Sequence, residues 1–413
     1  MLRSVSSGRW LCFLLLAVAG VFCSPVFSQT VVSSIGKPAA DSYRPSDSLN
    51  VPAFDHFYNL DYDLSIAEFR QVLRRHPDDP FAVNHLLVAL LFRELNRIGA
   101  LNSGDYTNDL FVSTPRLPAD PEVKREIKEL VERALALEEK RLEANPKDVD
   151  ALYARGVTRA QSSTYTALVE HAWFSALRNA VGARRDHERV LELDPKYTQA
   201  KLIVGTHNYV LGSLSWAVKA AVAVAGLSGG KEKGLEYLRE TANGPSETAV
   251  DAKIVLLLFL RREHQYDEAL GIARGLVPVY PRNLLLALEE GNLVRAAGRD
   301  KEAAAVYRKI WQAGHDGSYP GLHYELAALS LGDTLRAQKD YGGAIAAYEL
   351  VNGVPKPDNE LLQKANLAAG EAYDVLRKRD LAMQKYSAVV AVKGDSPFAD
   401  TARKCMKDPC QNQ

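Results

Sequence analysis

The chain writes the same helix more than once. The stretch "QYDEALGIARGLVPVYP" (residues 265–281) restates "DYDLSIAEFRQVLRRHP" (residues 61–77). In both, a Tyr-Asp pair is followed fifteen residues later by a proline, with a small residue and apolar residues at helical spacing between. A short helix written repeatedly cannot bury its apolar face within one copy, so successive copies must stack on each other. That requirement constrains the fold more than any other feature of the sequence.

The register is clearest in the second half. The segments beginning at Gly291, Gly332 and Gly370 can be laid over one another, and Ala303, Ala344 and Ala382 then correspond, as do Tyr307, Tyr348 and Tyr386. All three sets step by 41 and then 38 residues. Glycine on a first helix and alanine early in a second helix let the pair approach closely. An aromatic four residues after that alanine lies one turn along the same face. Proline then ends the second helix and starts the next turn.

This small–aromatic–proline pattern resembles the tetratricopeptide repeat family, over roughly residues 52–406 and most closely from 246 onward. The resemblance implies an all-α solenoid, a right-handed superhelix of about eight helical hairpins. It also implies a concave groove, lined by the first helix of each pair, that binds peptides or partner proteins. The closing stretch "GDSPFADTARKCM" is similar to the capping helix of envelope-located repeat proteins.

The first half is less regular. Pro77, Pro146 and Pro195 mark unit ends, and Gly156 and Gly205 read as first-helix glycines, although they stand 49 residues apart. Three segments are extra: a loop over residues 99–121, one unbroken helix over 162–195, and an apolar helix with a glycine turn over 213–234. The expected organisation is a signal peptide (1–28) and a flexible, exposed lead-in (29–51). Irregular repeats with insertions (52–244), a regular array with a capping helix (245–406) and a tail (407–413) follow.

The amino terminus reads as an export signal. Arg3 and Arg9 precede the apolar run "LCFLLLAVAGVF", which is too short to span a bilayer comfortably, and "VFS" at residues 26–28 suits a signal peptidase. Phe22 stands where lipidation of Cys23 wants a small residue, so a lipid anchor is the lesser alternative. The expected location is periplasmic or outer-envelope associated. Lys and Arg number 51, as do Asp and Glu, which advertises no attraction for a bulk polyanion, so nucleic acid is not an expected partner. Cys405 and Cys410 remain after cleavage, and disulfide and free thiols are evenly balanced readings in an oxidising compartment.

Catalytic motifs are lacking: no His-Glu-x-x-His, nucleophile elbow or Cys-x-x-Cys occurs. The expectation is a non-enzyme with no cofactor and no metal. "AGLSGGKEKG" fails as a phosphate loop, because Ala225 stands at the first loop position, Glu232 follows the lysine and no strand precedes it, so it reads as a glycine turn between helices. His171, His187 and His207 read as surface or interface residues; 171 and 187 stand about 24 Å apart along a straight helix.

Two features carry functional expectations. Eight residues before each early second-helix alanine stand Arg261, Arg295 and Arg336, with Asp374 breaking the series. With Asn292 they form a candidate partner-binding stripe, since planar guanidinium suits carboxylates. Local pairing with Asp333, Glu263 or Glu290 is the competing reading. The second feature is the apolar insertion, with Trp173, Phe174 and Trp216. Packing of its helix against the helix bearing Trp173 and Phe174 is the favoured reading, and contact with a membrane surface or hydrophobic ligand is the alternative.

Overall fold

The computed structural model describes residues 37–38, 42–101, 117–216, 219, 223, 227–392 and 396–410. Most of the loop expected over 99–121, most of the apolar stretch over 217–226 and the export signal lie outside the described residues. Among those described there are 17 α-helices and no strand. The chain forms two compact units, Met1–Glu263 and His264–Gln413.

The first unit holds α1 (Asn50–Tyr58), α2 (Tyr62–Arg75), α3 (Pro80–Arg97), α4 (Pro121–Ala144), α5 (Val149–Leu168), α6 (Trp173–Leu193), α7 (Lys201–Ser213), α8 (Lys231–Asn243) and α9 (Ala249–Arg262). The second holds α10 (Tyr266–Leu276), α11 (Leu284–Ala296), α12 (Asp300–His315), α13 (Glu325–Ala337), α14 (Tyr341–Asn352), α15 (Asn359–Val375), α16 (Arg379–Ala391) and α17 (Pro397–Lys407). Among the described residues α1–α8 pack as four successive pairs in the first unit, and α11–α16 as three in the second, followed by the closing helix α17.

The helix starts follow from capping chemistry. Asp120 precedes Pro121, and its carboxylate accepts from the amides of Glu122 and Val123 at 2.9 and 3.3 Å. Asp358 caps α15 in the same way. The turns between first and second helices are also repeated. Leu60, Gly298, Lys339 and Arg377 each take a positive φ of 59–73°, two residues before the second helix begins. The next residue's amide then reaches back five residues, as from Arg299 to Val294 (3.1 Å) and from Asp340 to Leu335 (2.9 Å). That bond satisfies a carbonyl left over at the end of the first helix.

Packing in the second unit follows the register of the sequence. Tyr307, Tyr348 and Tyr386 are fully buried, as are Ala303, Ala344 and Ala382. Each tyrosine lies on the glycine of its own hairpin: a Cβ at Gly291, Gly332 or Gly370 would meet the ring's Cε1 at 2.3–2.5 Å. The helix α17 closes the array, with Ala402 and Cys405 packed on Leu367, Ala382 and Tyr386.

Three expectations for the first unit are corrected. The single helix over 162–195 is instead the hairpin α5/α6, broken at His171, whose φ is 53°. The fold-back is held by Ser163 Oγ donating to the Ala176 carbonyl (2.8 Å) and by Asn179 Nδ2 donating to Ser162 Oγ (2.9 Å). Glu170, in the turn, pairs with Lys124 and Lys128 of α4. His187, expected at a surface or interface, is fully buried in α6, where its ring fills the space left by Gly156 of α5. Burial pushes its pKa down to about 4, so it is neutral. The exposed lead-in is packed from Tyr43 onward, with Tyr43 only 4% exposed. Its aromatic ring has a partner in α1 that outweighs the polar character of its neighbours.

Candidate functional site

The arginine positions do not share one environment. Arg261, near the end of α9, is half-buried and has interacting neighbours. Arg295, near the end of α11, is exposed, and no carboxylate lies within ion-pairing distance of it among the described residues. Arg336, near the end of α13, donates to Glu371 Oε2 of α15 at 2.8 Å, which ties one hairpin to the next. The local acids expected to compete for these arginines have other partners. Asp333 accepts from Tyr348 Oη (2.8 Å), Glu263 from Tyr209 Oη and Lys231 Nζ, and Glu290 from Arg274.

Asn292 belongs to the internal packing. Its Oδ1 accepts from Tyr307 Oη at 2.8 Å and its Nδ2 donates to Glu289 at 3.3 Å. The same position in the next unit is Asp333, which accepts from Tyr348. In the last unit that position is Glu371, and the tyrosine turns to Asp374, one helical turn further on (2.8 Å).

Asp374, the residue that breaks the arginine series, holds the carboxy terminus. It is 2% exposed and accepts from Arg379, Tyr386 and the Cys410 amide. Arg379 also donates to the carbonyls of Cys405 and Met406, both at 2.8 Å. Cys405 and Cys410 are disulfide-bonded beside this cluster.

Most of the apolar insertion lies outside the described residues, and only the exposure of its flanking aromatics is seen. Phe174 is 73% and Trp216 83% exposed, while Trp173 is half-buried. The glycines that follow bring α7 and α8 together: a Cβ at Gly234 would stand 2.5 Å from the Tyr209 amide nitrogen. A groove of about 520 Å³ lies beside this crossing, lined in part by Arg184, Asn208, Lys233 and Tyr237. Arg184 is engaged there by Glu188 and the Ser228 carbonyl. Among the described residues no three His, Cys, Asp or Glu side chains are grouped to hold a metal ion.

The first unit contains a site that the sequence reading missed. Residues 43–47 lie across the starts of several helices. Tyr43 stacks on Phe54 of α1 at 4.8 Å between ring centroids. The Arg44 guanidinium pairs with Asp150 of α5 and stands 5.6 Å from the Tyr197 ring and 6.0 Å from the Phe81 ring of α3. Tyr197 Oη donates to the same Asp150 at 3.1 Å. The Arg44 amide faces Glu247 at 3.4 Å, just before α9. Asp47, its side chain 2% exposed, accepts from His76 (3.0 Å) and Arg75 (3.3 Å) at the end of α2. Burial raises Glu247 to about 8 and lowers His85, 3.9 Å away, to about 3. One signal stood in the sequence: "YRP" is the only aromatic–cation pair in residues 29–51.

Close-packed helical hairpins in a glycine–alanine–tyrosine register define a helical repeat protein similar to tetratricopeptide proteins. No family model and no curated protein matches the chain. Solved structures do resemble it. The hetero-tetramer Cut9–Hcn1 aligns with a TM-score of 0.43 at 14% identity over 88% of this chain, which spans 56% of that one. A tetratricopeptide repeat protein from Parabacteroides merdae gives 0.31 at 13% identity, over 78% of this chain and 97% of that one. Human IFIT1, solved as a dimer with m7Gppp-AAAA, gives 0.39 at 16%, over 89% and 84%.

Proposed function

We propose that the chain is an exported, non-enzymatic scaffold that binds a protein or peptide partner in the cell envelope. The observation that carries this reading is the seating of residues 43–47, a non-helical segment that Phe54 of α1, the end of α2, Asp150 of α5 and Glu247 before α9 hold at separate points. A surface that holds one bent, non-helical segment through a ring, a guanidinium and a carboxylate is suited to hold another. The basic, apolar start of the sequence supports export. Arg295 is the member of the arginine series best placed to meet an acidic partner, because it is exposed and Arg336 already serves Glu371.

The test is crosslinking and mass spectrometry of the mature protein in its own cells, repeated with Arg261, Arg295 and Arg336 replaced by alanine. Loss of a crosslinked polypeptide in the triple variant and also in Arg295→Ala alone assigns Arg295 to binding; unchanged partners make the stripe structural. Absence of any crosslinked polypeptide contradicts the scaffold reading.

A second reading is favoured by the exposure of Phe174 and Trp216. Large aromatic side chains left in water suit the boundary of a lipid surface. Flotation of the mature protein with vesicles, with and without residues 213–230, decides it: no flotation of either form removes membrane contact.

A further inference from the structure

The segment that carries the scaffold reading also indicates what the site recognises. Residues 43–47 belong to no hairpin and precede α1, so releasing them breaks no helix pair. The Arg44 contacts are long-range, to Asp150 across 106 residues and to Glu247 across 203, while Tyr43, Pro45 and Asp47 also meet α1 and the residue before it through Phe54, Asn50 and Leu49. The segment therefore binds a surface that the rest of the unit completes. The Arg44 side chain stays 44% exposed and Asp150 39%, so the charged contact is open to exchange with an external group. Tyr197 serves the site twice: its hydroxyl aligns Asp150, and its ring lies 5.6 Å from the guanidinium.

We propose that the face formed by Phe54, Phe81, Asp150, Tyr197 and Glu247 is a peptide site selective for an aromatic–arginine pair. Residues 43–47 are its intramolecular occupant, which an incoming segment of the same chemistry must displace. Lysine is a poor substitute in such a partner. It provides a point charge where the site offers a carboxylate and two aromatic faces to a planar cation. Self-occupancy lowers the apparent affinity for an external peptide by the fraction of time that the site stands open.

The probe is a fluorescein-labelled peptide of residues 41–48, titrated by anisotropy onto the mature chain and onto a Tyr43→Ser/Arg44→Gln variant. The double variant is expected to bind roughly 10-fold or more tightly than the unaltered chain, because the occupant's competition is removed. Adding Asp150→Asn to the double variant is expected to abolish the gain. Equal affinity of the unaltered chain and the double variant overturns the proposal.

A measurement on the unaltered chain guards against a variant that folds poorly. Excess peptide is expected to speed amide exchange in residues 42–50 while protection of α3 and α5 is kept; unchanged exchange at saturation overturns the proposal. The inference rests on the scaffold reading, and the two fail separately. A chain that crosslinks a polypeptide in cells yet ignores this peptide keeps its scaffold role and loses this site.

Discussion

The ring of Tyr307 lies so close to Gly291 that a Cβ at position 291 would stand 2.4 Å from its Cε1. The same tyrosine is fully buried and donates its hydroxyl to Asn292. Gly291→Ala is expected to destabilise the protein by about 1–3 kcal/mol through overpacking. Tyr307→Phe keeps the ring and loses the hydrogen bond, at about 1 kcal/mol. Urea denaturation of the two variants checks both the sizes and the order.

Lys339 and Gly298 occupy equivalent turn positions with φ of 63° and 73°. A residue with a Cβ pays about 1–2 kcal/mol in this left-handed region, partly offset by the greater freedom of an unfolded glycine. Lys339→Gly is therefore expected to raise the melting temperature, whereas Lys309→Gly, at an exposed position inside α12, is expected to lower it. Thermal melts of the two variants decide the matter.

Arg336 and Arg295 are sequence equivalents with different roles. Arg336→Ala leaves Glu371 without its partner, its side chain 12% exposed, and is expected to cost about 2 kcal/mol. Arg295→Ala is expected to change stability by less than about 0.5 kcal/mol. Chemical denaturation separates them, and a binding defect in Arg295→Ala without loss of stability assigns that side chain to a partner.

Glu247 is raised by burial from 4.5 to about 8 in the folded chain, facing the Arg44 amide, His85, Asp251 and Tyr43. Between those two values the folded state holds a proton that the unfolded state has released. The contribution is thus full below about pH 4.5 and is lost as the pH rises through about 8. Asp251, raised by burial to about 7, acts in the same direction. Melting temperatures from pH 6 to 9 are expected to fall, and Glu247→Gln is expected to flatten that slope.

How much was legible in the sequence depended on where the contacts lie. Gly291, Ala303 and Tyr307 meet within one hairpin, so equal steps of 41 and 38 residues gave their packing away. The disulfide of Cys405 and Cys410 is local in the same sense, yet spacing alone left it open. The break at His171 left no trace, because neither glycine nor proline marks it and the holding contacts come from Ser163 and Asn179. Beyond the Tyr43–Arg44 pair itself the seat of Arg44 was not legible, since its partners are 106 and 203 residues away and no periodicity links them. The Tyr307 bond of Asn292 was not legible, because a polar residue on a first helix looks alike whether it faces a groove or an internal tyrosine.

A photoreactive benzophenone side chain in place of exposed Lys196, the chain neighbour of Tyr197, tests the central claim most directly. In the isolated chain it is expected to crosslink residues 42–47. In the cells of origin, with Tyr43→Ser and Arg44→Gln added, it is expected to capture a second polypeptide through an arginine-containing stretch. Crosslinks confined to the chain's own residues, with and without those substitutions, would contradict the account.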